Sequence, residues 1–332
     1  MAAAQSIPRY LAGSADECPM NIIHHLDDVQ PAADVILTIG TFDGVHLGHQ
    51  HLLAQLVRRA HETQLLSAVL TFHPHPRTVL QPDRRPAYLS TPEERAIVFE
   101  ALGIDLLVLL HFTPTLAQTP AETLVGDLYH KLRMRELWVG PDFAMGRQRE
   151  GDAVKLQTLA NHLGYHLRII APLTNGNVIV SSTRIRTLVQ EGQVDEAARL
   201  LGRYYAISGR VGPGAQRGRR LGFRTANLPV DPNRATPANG VYAAWAEYGS
   251  QRYRCVVNVG TRPSFGENEP NIEAHLLDFE DDLYGKPLTI EFVQRLRPEL
   301  RFSNAADLVA QINRDIAAAR ELLTDETKAK PQ

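Results

Sequence analysis

The pattern of short apolar segments changes once along this chain, and that change limits the folds open to it. From residue 35 to about 185, apolar runs at 35–39, 67–72, 105–110, 136–139 and 166–170 read as buried strands. Helical stretches at 47–60, 92–102, 120–132 and 154–163 lie between them. Strands alternating with helices predict a mainly parallel sheet covered on both faces, with ligands at the carboxyl ends of its strands. Thr91 before Pro92, and Thr119 before Pro120, each read as an N-cap followed by proline at the first helical position. Residues 182–201 read as two short helices broken at Gly192. Past Gly202 the alternation stops: 204–211, 241–247, 253–259, 271–277 and 288–294 look like strands with Gly, Pro and Asn in the turns between them. One amphipathic helix over 305–322, with Leu308, Ile312, Ile316 and Ala319 on one face, closes the chain. Strands followed by a helix predict a small β-barrel or sandwich with a docked helix. The boundary falls near residues 190–203, and a length of 332 residues agrees with two domains. No internal repeat is visible, and residues 1–20 and 325–332 are expected to be loosely held tails.

Charge and cysteine content narrow the partners. A formal net charge of −2 argues against a nucleic-acid binder, and Arg217-Gly218-Arg219-Arg220 is a local basic cluster. Cys18 and Cys255 are far apart and form neither a disulfide framework nor a zinc-ligand set, which fits a reducing compartment. The first residues hold no apolar run of signal-peptide length, and no stretch reaches the roughly 18–20 apolar residues of a membrane span. A soluble cytoplasmic protein is expected.

Chemistry concentrates where the first strong strand gives way to a helix. Gly40-Thr41-Phe42-Asp43-Gly44-Val45-His46-Leu47-Gly48-His49 places glycines where backbone can approach a phosphate, at a helix N-terminus that offers unpaired N–H groups. His46 and His49, three apart on the first turn, point the same way and can donate to a phosphate gaining charge in a transition state. Plain first-turn polar residues or a metal pair are the alternatives. The coincidence of glycines, Asp43 and both histidines at one turn favours phosphate, and a His-Glu-x-x-His zinc site is absent. Further on, Ser181-Ser182-Thr183-Arg184-Ile185-Arg186 offers hydroxyls at a helix start and two arginines suited to a departing pyrophosphate, although Ser-Ser-Thr is also a common N-cap.

In the second half, Gly209-Arg210-Val211-Gly212-Pro213-Gly214 begins a glycine-rich stretch running through Gly218 to Gly222. Such a loop can wrap phosphates with backbone N–H groups, helped by Arg217, Arg219 or Arg220; a plain surface loop has the same composition. Thr225 and Asn227 follow, two apart, so an extended segment aims both oxygen-bearing side chains the same way, and oxygen ligands suit Mg²⁺.

The order of these segments, with Thr71-Phe72-His73-Pro74-His75-Pro76 and Val139-Gly140-Pro141-Asp142-Phe143, resembles the adenylyltransferase module of the prokaryotic bifunctional riboflavin kinase/FAD synthetases. Gly240-Val241-Tyr242, Val257-Asn258-Val259-Gly260, Arg262-Pro263, Glu273-Ala274-His275-Leu276-Leu277, Asp282-Leu283-Tyr284-Gly285 and Arg295-Leu296-Arg297-Pro298-Glu299 resemble its kinase module. The resemblance runs from about residue 35 to the C-terminus. It implies an α/β fold: a Rossmann-like nucleotidylyltransferase domain over 20–190, a linker region at 191–203, and a six-stranded riboflavin kinase-like barrel with a terminal helix over 204–325. It also implies ATP-dependent conversion of riboflavin to FMN and of FMN to FAD, with Mg²⁺ as cofactor. His46, His49 and Arg186 are then catalytic for adenylyl transfer. Gly40, Phe42, Asp43, Gly44, Gly48, Ser181, Ser182, Thr183 and Arg184 become the nucleotide-binding set. Glu273 becomes the general base of the kinase, Gly212, Gly214, Gly218 and Gly222 its phosphate loop, and Thr225 and Asn227 its metal ligands. Asp142 and His75 are candidate flavin or nucleotide contacts, with a turn role the alternative for Asp142. The partners expected are small molecules (ATP, riboflavin, FMN and FAD), without nucleic acid or membrane, in a monomer or weak self-associate.

Four positions depart from the family pattern: Thr41 replaces Asn, Ala144-Met145 replaces Arg-Phe, and Arg224 replaces the proline of Pro-Thr-Ala-Asn. Rival readings are a monofunctional FAD synthetase with an impaired barrel, a non-catalytic flavin binder, and an adenylyltransferase for another phosphorylated acceptor.

Overall fold

A computed structural model describes residues 20–29, 31–175, 178–213, 223–264 and 267–324. Gly214, Arg217, Gly218, Arg219, Arg220, Gly222 and, save Met20, both expected tails lie outside them. The chain divides into two compact units, residues 1–86 with 90–180, and residues 87–89 with 181–332.

The first unit runs β1 (Asn21–Ile23), β2 (Val35–Ile39), α1 (Leu47–Thr63), β3 (Leu66–His73), α2 (Pro76–Leu80), α3 (Pro92–Ala101), β4 (Leu106–His111), α4 (Pro114–Ala117), α5 (Ala121–Lys131), β5 (Met134–Val139), α6 (Ala153–Leu163), β6 (His166–Ile169) and a short ribbon, β7 (Thr174–Asn175) with β8 (Val178–Ile179). Its six-stranded sheet has the order β1-β4-β3-β2-β5-β6, and every pairing is parallel. Strand alternation sorts β2 between two cores: Val35, Leu37 and Ile39 pack with residues of α5 and α6, and Ile36 packs with residues of α1 and α3. The order reverses between β2 and β5, so the carboxyl ends of these two strands flank the switch point where such sheets take ligands.

One expected cap is corrected. Thr91 caps α3 with a full capping box, accepting from Glu94 N at 3.2 Å while Glu94 Oε2 accepts from Thr91 N at 3.0 Å. Thr119 does not cap α5, although Thr119 and Glu122 stand at the same spacing. There Pro120 is the N-cap, and Ala121 N donates to the Glu150 carboxylate at 2.9 Å, so a residue distant in sequence satisfies the helix start.

The second unit holds α7 (Ser182–Glu191), α8 (Val194–Leu201), β9 (Tyr205–Arg210), β10 (Ala226–Pro229), β11 (Gly240–Tyr248), β12 (Gln251–Ser264), β13 (Glu267–Leu276), β14 (Pro287–Arg297) and α9 (Ala305–Leu322). The antiparallel order β10-β13-β12-β11-β14-β9 nearly closes, because Gly212, just past β9, donates to Asn227 O of β10 at 2.8 Å. Of the two architectures expected, barrel or sandwich, the barrel is found. Ala198 of α8 and Ala319 of α9 pack with Val241, Ala243 and Trp245 of β11. A buried ion pair fixes α9: Arg297 Nη2 meets Asp315 Oδ2 at 2.8 Å and Arg297 Nε meets Oδ1 at 3.0 Å, with Gln311 Nε2 donating to Oδ1 at 2.9 Å.

A second charge cluster lies across β11, β12 and β14. Arg252 pairs with Glu291 and with Glu247 (3.3 Å), and its guanidinium sits over the Trp245 ring at 5.2 Å. Burial pushes the Glu291 carboxyl up to about 7; Arg252 pulls it down and Glu247 pushes it further up, and burial wins. The folded barrel therefore holds this proton more tightly than the unfolded chain, so stability falls as pH rises from the ordinary glutamate range through about 7. Glu291→Gln, neutral throughout, is expected to raise the thermal midpoint at pH 8 by several degrees and change it little at pH 5; melting curves of both proteins across this range check it, and equal shifts at both pH values would contradict it.

Candidate active sites

In the first unit the chain leaves β2, buried on both faces, and must turn into α1. Phe42, Gly44 and Val45 take left-handed φ values of 47°, 80° and 37°, a conformation costly for the β-branched valine. Buried partners hold that shape. Gly44 N donates to Ser90 Oγ at 2.8 Å, and Ser90 N donates to Asp43 Oδ1 at 3.1 Å. Arg95, 4% exposed, donates from Nη1 to the Thr41 carbonyl and, at 3.1 Å, to Thr71 Oγ1, while Thr71 Oγ1 donates to Thr41 O at 3.1 Å. Arg95 was invisible to motif reading, since an arginine inside α3 reads as a solvated helix residue; only the packing reveals it.

His46 is the N-cap of α1, and its Nδ1 accepts from His49 N at 3.3 Å. In the neutral ring the proton then sits on Nε2, which makes His46 a donor on its other side. The His46 and His49 rings stack at 3.7 Å with planes 16° apart, and Phe42 meets His49 edge-on at 5.0 Å. Gly48 makes room for this stack, because a Cβ there would lie 3.1 Å from His46 Cε1; a Cβ on Gly40 would lie 3.0 Å from the Phe42 ring. Three more expected residues sit at sheet-end loops or helix starts. His75 caps α2, accepting from Arg77 N at 3.0 Å. Asp142 is exposed beyond β5, and its carbonyl accepts from Arg149 Nη2 at 2.9 Å. Ser181 caps α7, accepting from Arg184 N at 3.3 Å. By its contacts α7 belongs to the second unit, so Ser182, Thr183 and Arg186 are in a different unit from His46 and His49. Arg186 Nε donates to Ala87 O at 2.6 Å within that second unit.

In the barrel, register brings the expected kinase residues together. Glu273 of β13 pairs across to Asn227 of β10 on one side and Asn258 of β12 on the other, a row of side chains on one face. Asn271, two residues along, donates from Nδ2 to Glu273 Oε1 at 3.1 Å and so orients the carboxylate. Asn258 and Asn271 had no role in the sequence reading; their positions follow only from strand pairing. A cavity of about 280 Å³ reaches Asn227 of this row, and its lining includes Thr225, Ala274 and Leu276 but neither Glu273 nor Asn258. Two oxygen-bearing side chains are few for a protein-built metal cage, and among the described residues no cluster of three or more His, Cys, Asp or Glu could hold a metal. Such a pair suits a cation that keeps waters and shares its shell with phosphates.

A parallel α/β unit with stacked histidines at its switch point, and an antiparallel barrel with an Asn–Glu–Asn row, define a two-module transferase. Residues 28–184 match the family model described as FAD synthetase, and residues 201–323 match that described as riboflavin kinase. The chain belongs to the bifunctional riboflavin kinase/FMN adenylyltransferase family. Its similarity to the member from Escherichia coli strain K12 is 36% identity over 301 residues, covering 90% of this chain and 96% of that protein. For the member from Bacillus subtilis strain 168 it is 36% over 298 residues, covering 88% and 93%. A crystal structure described as a macrolide-efflux protein from Streptococcus pneumoniae superposes with a TM-score of 0.83 at 29% identity, over 91% of this chain and 99% of that one. Among the described residues of this chain, no helix is long and apolar enough to cross a membrane.

Removing the buried guanidinium takes away one of the two donors to the Thr41 carbonyl and the donor to Thr71 Oγ1, at a cost of about 1–3 kcal/mol confined to the turn. In Arg95→Met, amides of residues 41–46 are therefore expected to exchange with deuterium about tenfold or more faster while β4 amides keep their protection. Hydrogen-exchange mass spectrometry checks this, and an unchanged turn would show that Arg95 does not hold it.

Proposed function

We propose that the chain phosphorylates riboflavin to FMN in its barrel and adenylylates FMN to FAD at its His-x-Gly-His turn, using ATP in both reactions. The observation that carries this reading is that each unit holds its own constellation, the stacked His46 and His49 in one and the Asn227–Glu273–Asn258 row in the other. For adenylyl transfer, an FMN phosphate oxygen attacks the α-phosphorus of ATP, and the bond to pyrophosphate breaks. His46 and His49 donate to the phosphate oxygens as charge develops, and Gly40, Phe42, Asp43, Gly44 and Gly48 shape the backbone that receives them. Ser181, Ser182, Thr183, Arg184 and Arg186 are assigned to the departing pyrophosphate, with Asp142 and His75 as further ligand contacts.

For the kinase, the riboflavin 5′-hydroxyl attacks the γ-phosphorus, Glu273 takes its proton, and ADP leaves. Thr225 and Asn227 would hold Mg²⁺ together with the phosphates, and the ion would supply charge neutralisation. Gly212 belongs to the phosphate loop; Gly214, Gly218 and Gly222, assigned with it, lie outside the described residues. The functional division is residues 20–190 for adenylyl transfer, 191–203 for the linker and 204–325 for the kinase. It differs from the packing division because α7 carries the pyrophosphate residues. The proposal extends to a cytoplasmic enzyme, monomeric or weakly self-associating, with small-molecule partners and, at a net charge of −2, no nucleic-acid partner.

Purified protein supplied with ATP, Mg²⁺ and either riboflavin or FMN, followed by chromatography of the flavins, tests the division of labour. His49→Ala is expected to lower FAD formation by about 100-fold or more and to spare FMN formation. Glu273→Gln is expected to do the reverse, with a loss of about 100-fold in FMN formation. Loss of both reactions from either substitution in a folded protein would refute the assignment.

A further inference from the structure

We infer that Arg224 is a positioning residue of the kinase, holding the segment between β13 and β14 as a preformed wall against which nucleotide binds. This rests on the reading above that Thr225 and Asn227 hold the ATP phosphates with Mg²⁺, which puts the nucleotide in the cavity that both residues line. One side of that cavity is β10 with its neighbours Ala274 and Leu276; the other is residues 279–284. The segment is anchored at both ends. At the near end Leu277 N donates to Arg254 O at 2.8 Å, and Asp278, at φ 60°, pairs with Arg320 at 2.7 Å. At the far end Gly285 N donates to Val211 O and Lys286 N to Leu283 O, both at 2.9 Å.

Arg224 ties down the stretch between. Its Nη1 donates to the Glu280 carbonyl at 3.0 Å, joining the middle of the wall to the segment that runs through Thr225 into β10. Arg224 is itself fixed, because its own carbonyl accepts from His275 Nδ1 at 2.7 Å and the His275 ring meets Phe223 edge-on at 5.7 Å. One residue thus links β13, the approach to β10 and the wall.

Charge adds to geometry. Glu280, Asp281 and Asp282 line the same cavity, so a triphosphate entering it meets carboxylates, and Arg224 sets a cation beside them. Losing Arg224 loosens the wall and removes that cation from beside the acids. Both effects weaken nucleotide binding more than they slow transfer, since Glu273 stands outside the cavity lining.

Steady-state kinetics of FMN formation test the inference, with FAD formation from supplied FMN as the internal control. Arg224→Ala is expected to raise KM for ATP about five- to tenfold with kcat within about twofold, the loss of one hydrogen bond and its charge. FAD formation stays unchanged, and Arg224→Lys recovers part of the loss by keeping the charge. An unchanged KM in Arg224→Ala, or a fall in kcat with KM held, would overturn the inference. Thr225→Ala, measured in parallel, separates the two levels of the argument. If it raises KM while Arg224→Ala does not, the positioning role falls and the nucleotide site stands; if neither moves KM, both fall.

Discussion

The turn between β2 and α1 has to leave a strand buried on both faces and enter a helix, and for that stretch its backbone lacks ladder partners. The first unit's site exists because buried side chains take over that role. Arg95 and Thr71 satisfy the Thr41 carbonyl, Ser90 clasps Gly44 N and the Asp43 carboxylate, and His46 caps the helix. An unpaired buried carbonyl or N–H costs about as much as a hydrogen bond gains, so these contacts together can hold Phe42 and Val45 at positive φ. With the turn fixed, the His46–His49 stack follows without further parts: Gly48 leaves it room and Phe42 braces one side.

The barrel solves a different problem by register. Antiparallel pairing puts Asn227, Glu273 and Asn258 side by side although they come from three strands far apart in sequence. A slip of one residue in β13 would turn Glu273 to the other face and bring Ala274 into its place. The register is secured from the opposite face, where Ile272, Ala274 and Leu276 are buried, so the core of the barrel and the position of the carboxylate are one constraint. The Gly212–Asn227 bond that nearly closes the barrel falls on the same residue as the row, so closure and site geometry share a strand.

How much of this was legible follows from how local each signal is. The βα alternation, the stop at Gly192 and the terminal helix over 305–322 are local patterns and were readable, as were the N-cap at Thr91 and the His-bearing turn. Thr119 misled because Glu150 reaches the start of α5 through tertiary packing that no local pattern encodes. Short elements such as β1, α2 and α4 lack enough turns or alternations to show a period. Asn258, Asn271 and Arg95 gain their roles only from pairing and packing, and polar residues of these types are mostly solvated in sequence-level expectation. The family resemblance supplied Glu273, whose strand pattern alone gave no reason to single it out.

Thr41 and Ala144-Met145 depart from the family pattern where contacts to the backbone set the shape. Met145 and Gly151 exchange hydrogen bonds at 3.2 Å and 2.9 Å, and Ala121 leaves no room for a Cβ on either Gly146 or Gly151. The loop beyond β5 is held by these backbone contacts, and Phe143 and Met145 pack on the core. What changes is charge: the cation bonded to this loop is Arg149, on the Asp142 carbonyl. Arg224 differs in the barrel: His275 holds its backbone, and its side chain reaches the Glu280 carbonyl and so takes part in setting the shape. At 144–145 the backbone around the substitution is held by its neighbours, whereas at 224 the side chain is itself one of the ties that hold the loop.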